Sequence, residues 1–208
     1  MEKRILVFTN HYFPENFKIN ELTQKLSENN IIHVITGLPN YPQGKIYDGY
    51  SVFEKSYEKI STNLSVTRLP LIPRRSGSKF MLIINYFSYF ISCICYTIYL
   101  LFKKKYDIVL IHHTSPIFIC FPAIIYKKIK KSRLILWDLD MWPDTIVAMK
   151  IIKSNSIISF FELIVKFIYK SCDHVLLGSK QFFDKAISRI SETKISYFKL
   201  GRRKYCKK

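Results

Sequence analysis

Four short segments hold the residue types best suited to chemistry, and each follows an apolar run. Asn10-His-Tyr-Phe-Pro-Glu-Asn16-Phe17-Lys-Ile-Asn20 follows Ile5-Leu-Val-Phe8, and Gly37-Leu-Pro-Asn40-Tyr-Pro-Gln-Gly-Lys45 follows the run from Ile31 to Thr36. His112-His113 closes a run that starts at Asp107, and Trp137-Asp-Leu-Asp-Met-Trp142-Pro-Asp144 closes another that starts at Arg133. Aromatic faces stack on flat or ring-shaped ligands, while carboxamides and carboxylates bind the hydroxyls around them. An imidazole at a strand end can exchange a proton near neutral pH, or it can simply hydrogen-bond to loop backbone. Trp142-Pro143 can likewise face a ligand or merely shape its turn. No GxGxxG and no GxxxxGK[ST] is present, so neither a nicotinamide cofactor nor an NTPase phosphate cradle is expected. The cysteines Cys93, Cys95, Cys120, Cys172 and Cys206 have no metal-ligand spacing; buried free thiols in a reducing compartment, and no metal, are expected.

The elements that must position these segments alternate. Arg4–Thr9, Ile31–Thr36, Leu64–Ile72, Asp107–Ile111, Arg133–Trp137, His174–Leu177 and Lys194–Phe198 read as strands. Helices are expected after the first loop, with Ile19, Leu22 and Leu26 on one face, and over Ile117–Ile129 and Ile157–Ser171. A last helix ends near Ile190 with Ser179 as its cap. Strands separated by helices predict an α/β fold: a single Rossmann-like domain with a mostly parallel sheet of about six or seven strands, covered by helices on both faces. Ligands bind such sheets at the carboxyl ends of the strands, so two adjacent strand ends with specialised loops form one site.

Phe80–Phe102 is long enough to span a bilayer and carries no charge. It lies between two strands of one sheet, and a span would set the halves of that sheet on opposite sides of the membrane. A crossover helix whose outer face touches a membrane is therefore expected, ahead of a true span or a wholly buried core helix. The 208 residues carry 33 basic and 15 acidic side chains, a net charge of +18. Lysines cluster at Lys103–Lys105, at Lys127, Lys128, Lys130 and Lys131, and from Lys199 onward. One such cluster is often a solvated face; several beside apolar surface predict contact with anionic lipid of the inner leaflet. Zinc spacing, RNP-type aromatics and helix-turn-helix patterns are lacking, and nucleic acid is not an expected partner. The apolar run at Ile5 is too short for a signal peptide.

Phe13-Pro-Glu-Asn-Phe-Lys-Ile-Asn20, Thr36-Gly-Leu-Pro-Asn-Tyr-Pro-Gln-Gly-Lys45 and Gly49-Tyr50 resemble the amino-terminal half of family-4 glycosyltransferases, nearest to the amino-sugar transferases of O-antigen, capsule and colanic-acid assembly. The resemblance implies one half of a GT-B arrangement, in which this half binds the acceptor and a second Rossmann-like domain grips the nucleotide-sugar donor. It implies transfer with retention and without metal, to a lipid-diphosphate-linked sugar acceptor at the cytoplasmic face of the inner membrane. His112 matches the spacing of a family histidine that faces the transferred sugar, although the amino-sugar subgroup often differs there. Trp137–Asp144 resembles an Asp-Leu-Trp-Pro-Glu loop, with Met141 inserted before Trp142 and Asp144 in place of Glu. Asn16 and Phe17 replace a glycine pair, a departure the amino-sugar subgroup shares. Asn16, Phe17, Asn40, Trp142 and Asp144 are thus the expected substrate-binding residues and His112 the expected catalytic one. Glu162, Asp173 and Ser179 match family positions too, but packing and capping suit them better.

Residues 1–198 are expected to be the glycosyltransferase domain and 199–208 a basic tail. That tail, with six basic residues in ten, resembles nothing in the family. A shifted frame or truncated gene would produce such an end, as would a natural basic tail. Because the family's donor half would lie beyond this point, little activity is expected of the chain alone. Two other readings are a split enzyme, with the donor domain on a separate chain, and a non-enzymatic basic protein at the membrane surface.

Overall fold

The computed structural model describes residues 2–75, 78–103, 105–148, 150 and 154–198; the basic tail 199–208, with Cys206, lies outside the described residues. The apolar runs become the strands β1 (Arg4–Thr9), β2 (Ile31–Gly37), β4 (Leu64–Leu69), β5 (Ile108–His113), β6 (Arg133–Asp138), β7 (His174–Leu177) and β8 (Ile195–Tyr197), with β3 (Tyr57–Ser61) at one edge. They form one eight-stranded sheet in the order β3-β4-β2-β1-β5-β6-β7-β8. Every pairing is parallel except that of β3 with β4. The order reverses between β1 and β5, which is the topological switch point where an open α/β sheet leaves a crevice.

The strand count exceeds the six or seven expected because β3 has no hydrophobic signal: it is an edge strand with four of five residues exposed. The fourth strand also stops at Leu69 rather than Ile72, since Pro70 has no backbone N–H to extend the ladder.

Helices lie on both faces, unequally. One face is covered by α2 (Lys79–Leu101), α3 (Cys120–Lys130), α4 (Asp144–Ala148), α5 (Asn155–Ser171) and α6 (Phe183–Ile187). The short α4 gave no periodicity to read. On the other face, α1 (Lys18–Leu26) seats Ile19 against Val7, Ile32 and Val34. α2 is capped by Ser78, whose hydroxyl accepts from the Met81 N–H at 3.2 Å. It buries Asn85, Tyr89, Cys93, Thr97 and Leu100, a stripe recurring every third or fourth residue. Its outer face stays bare, with Phe80 70%, Ile83 64% and Phe87 62% exposed. The segment is therefore a crossover helix docked on its own sheet and not a wholly buried one. Cys93, Cys120 and Cys172 are buried free thiols, as expected, and burial pushes Cys93 and Cys172 up to about 12. Cys95 departs from that expectation, because it sits on the outer face of α2.

Candidate active site

The loops after β1 and β2 are joined by one buried carboxylate. Glu15, 3% exposed, accepts hydrogen bonds from the backbone N–H groups of Asn40 at 2.8 Å and Tyr41 at 2.7 Å through Oε1. Its Oε2 lies 2.8 Å from His11 Nδ1. Asn20 fixes the same loop from the first turn of α1, donating to the Glu15 carbonyl at 2.7 Å and accepting from the Phe13 N–H at 3.2 Å. Above this staple three rings gather. His11 stacks on Phe17 at 4.7 Å with 9° between planes, and Tyr41 stands against both at 5.2 and 5.6 Å.

The opposite wall comes from α2 and from the loop that enters it. Asn85 Nδ2 donates to the Ile72 carbonyl at 2.7 Å, Ser88 Oγ accepts from the Ile72 N–H at 2.9 Å, and Ser92 donates to the Pro70 carbonyl at 2.7 Å. These bonds hold Arg74 over the Tyr41 ring, its guanidinium 5.7 Å from the centroid. Gly44 (φ +73) turns the β2 loop back so that its carbonyl accepts from the Arg75 N–H at 2.8 Å; a side chain at that φ would be strained. Tyr89 OH donates to the Thr9 carbonyl at 2.6 Å and ties α2 to the end of β1.

Together His11, Phe17, Tyr41, Arg74, Asn85, Tyr86, Thr114 and Ser115 line a cleft of about 160 Å³ at the carboxyl ends of β1, β2 and β5. Among the described residues, buried Asn10 Oδ1 and Thr114 Oγ1 have no hydrogen-bond partner. Burial raises the Tyr86 hydroxyl above the ordinary tyrosine value, with Arg74 opposing and Asp140 and Tyr41 reinforcing, so it stays protonated and able to donate. Stacking rings, neutral hydroxyls and one guanidinium suit a sugar ring carrying an anionic group. Among the described residues no three His, Cys, Asp or Glu side chains are grouped to hold a metal ion.

The expected site residues divide. Phe17 lines the cleft, and Asn16 is exposed on the same loop. Asn40 sits beneath it, 3% exposed, its N–H on Glu15 and its carboxamide on the Leu38 carbonyl at 2.9 Å. His112 is 1% exposed, with Nδ1 2.9 Å from Thr9 Oγ1 and its ring against Trp137. Burial, with His113 and His11 nearby, pulls its pKa down to about 3, so the imidazole is neutral. Trp142, 7% exposed, packs behind the cleft between Phe118 and Phe161 and donates through Nε1 to Ser115 Oγ at 2.8 Å. Asp144 is exposed at the start of α4 and pairs with Lys185.

Glu162 grips buried Arg189 at 2.8 and 2.9 Å, and Arg189 donates to the Trp142 carbonyl at 2.7 Å. Asp173 accepts from the Leu134 N–H, and Ser179 from the Gln181 N–H, both structural roles. Sequence reasoning did not single out His11, Glu15, Tyr41, Arg74, Asn85, Tyr86, Thr114 or Ser115. The first three lay inside the quoted loops, whereas Arg74 carried no local signal.

No family model and no curated protein matches the chain. Among solved structures it is similar to a plant GT-B glycosyltransferase, UGT2 of Phytolacca americana, solved with UDP-2-fluoro-glucose and pterostilbene. The TM-score is 0.55 at 7% identity, over 97% of this chain and 54% of that one. A second likeness, to the C-terminal domain of a Pyrococcus furiosus hydrogenase, has a TM-score of 0.40 at 16% identity over 65% of this chain and 89% of that one. The chain thus folds as a Rossmann-like α/β domain resembling a GT-B glycosyltransferase, and spans about half the length of that relative.

Proposed function

We propose that residues 1–198 form the acceptor-binding half of a retaining glycosyltransferase of the family-4 amino-sugar type. The acceptor is a lipid-diphosphate-linked sugar, a precursor of cell-surface polysaccharide such as O-antigen or capsule, and the donor is a nucleotide-sugar held mainly by a second domain. One observation carries the reading: the Glu15-stapled loops raise His11, Phe17 and Tyr41 beside Arg74 at the switch point of the sheet. The rings stack on a sugar and the guanidinium meets a phosphate. The GT-B likeness supports the fold this requires, and the UDP-sugar bound in that relative fits a donor of the same class.

His112 acts by position. Neutral and buried under the crevice floor, it meets Thr9 Oγ1 and holds the ends of β1 and β5 together. Interactions with the leaving nucleotide come from the donor half, and these 208 residues alone have little or no transfer activity. Equilibrium binding tests this division. The purified chain is expected to bind a short polyprenyl-diphosphate-linked N-acetylglucosamine more tightly than any UDP-sugar. Preference for the UDP-sugar, or sugar transfer by the chain alone, would overturn it.

A further inference from the structure

The outer surface of the helix layer is apolar far beyond what a single helix supplies. α2 exposes Phe80, Ile83, Phe87, Ile91 and Ile98, α3 exposes Ile125 and Ile129, and α5 exposes Ile157, Phe160, Leu163 and Phe167. The helices abut, so these side chains form one surface: ring contacts run from Phe87 to Phe90, from Phe90 to Phe118 and Phe121, and on to Phe161 and Phe167, all between 6.2 and 6.4 Å. An apolar patch of this extent marks a docking surface.

Charge gathers at one end of it. Lys103 lies over the Tyr99 ring at 4.7 Å and Lys128 over Phe167 at 5.5 Å. Lys130 donates to the Lys103 carbonyl, which places the carboxyl ends of α2 and α3 side by side. Lys127, Lys128, Lys131 and Arg133 line a shallow groove of about 600 Å³ at that end. A second copy of this chain would bring the same lysines against each other, and at a net charge of +18 repulsion opposes that occupant. Apolar surface edged with lysine complements an anionic bilayer, whose acyl boundary takes the rings and whose headgroups take the ammonium groups.

We propose that the α2–α3–α5 face is a monotopic membrane-docking surface for anionic lipid. The helices lie in the interface plane and none of them crosses it. The inference rests on the helix layer and not on the transferase reading. Asn85 and Tyr86, two and one residues from the outward Phe87, line the cleft, so docking sets the cleft mouth beside the lipid headgroups.

Flotation of the 208-residue chain with vesicles free of glycolipid tests this separately from acceptor binding. The chain is expected to float with phosphatidylglycerol-containing vesicles, to float poorly with pure phosphatidylcholine, and to be released by alkaline carbonate. The double variant Phe87→Glu, Leu163→Glu should weaken partitioning by at least about tenfold. Phe53→Glu, which removes a 93% exposed ring elsewhere, should leave it unchanged. Circular dichroism confirms that each variant is folded. Failure of the wild type to float, or equal loss in all variants, would overturn the proposal. So would retention after carbonate, or light scattering that shows a dimer abolished by the double variant in place of vesicle binding.

Discussion

The paired loops after β1 and β2 and the loop after β6 are made of the same residue types and are folded inside out relative to each other. In the first region the carboxylate goes down: Glu15 is 3% exposed under the chain, and the rings of His11, Phe17 and Tyr41 stand over it in the cleft. In the second the ring goes down: Trp142 is 7% exposed between Phe118 and Phe161, and the Asp144 carboxylate is left at the surface on Lys185. The partners decide the outcome. Glu15 finds two free backbone N–H groups in a neighbouring loop, which repay the burial of a charge. Trp142 finds an apolar slot under α5 with Ser115 placed for its one donor, so its area is buried without an unpaired N–H. Aromatic-plus-carboxylate composition therefore marks a strand-end loop as specialised without saying which group meets the ligand.

The largest expected effect separates the two regions. Trp142→Ala should cost about 4 kcal/mol of stability in urea titrations, as a buried ring is removed from its slot. Trp142→Phe should cost about 1 kcal/mol, the worth of the lost Nε1 bond. If Trp142→Ala kept its stability and lost ligand binding, Trp142 would belong with the cleft. Glu15→Ala should cost about 3 kcal/mol, because two loops lose their shared acceptor and buried N–H groups go unpaired. A change under about 1 kcal/mol would break the comparison from the other side.

A smaller effect concerns pH. Burial, helped by Arg4, pulls His33 down to about 4, where it sits between Tyr106 OH at 2.7 Å and Thr67 Oγ1 at 2.8 Å. The unfolded chain then binds the proton more readily than the native one, so stability is full above about pH 6.5 and is lost as pH falls toward 4. At pH 5 this histidine alone should cost on the order of 2 kcal/mol relative to pH 7, and His33→Gln should flatten that part of the melting-temperature profile. An unchanged slope would contradict it. Smallest of all, Asp144→Ala should cost under about 1 kcal/mol, because its partner Lys185 is itself a third exposed.

Strands were legible because each buries an apolar run in a sheet covered on both faces, as Leu6, Val7 and Phe8 do at 0% exposure. β3 was not, since Tyr57–Ser61 has no apolar run and four of its five residues are exposed at the sheet edge. The two cleft loops were legible as unusual; the roles within them were not. The partners of Glu15 lie 25 and 26 residues away, and no local pattern encodes a carboxylate reaching that far. Arg74 is placed by a bond from Asn85 to Ile72, which exists only once α2 docks. Arg68 was hidden the same way: 2% exposed in β4, it pairs with Glu58 on the unforeseen β3 and donates to the Phe13 carbonyl.

The central claim is that the stapled loops and Arg74 together hold a phosphorylated sugar. Titration of polyprenyl-diphosphate-linked N-acetylglucosamine into the wild type and into Arg74→Gln, in a neutral detergent, tests it most directly. Loss of a charge-assisted phosphate contact should weaken binding by at least about tenfold, with melting temperature unchanged. Equal affinity for the two proteins would place the ligand elsewhere and contradict the account.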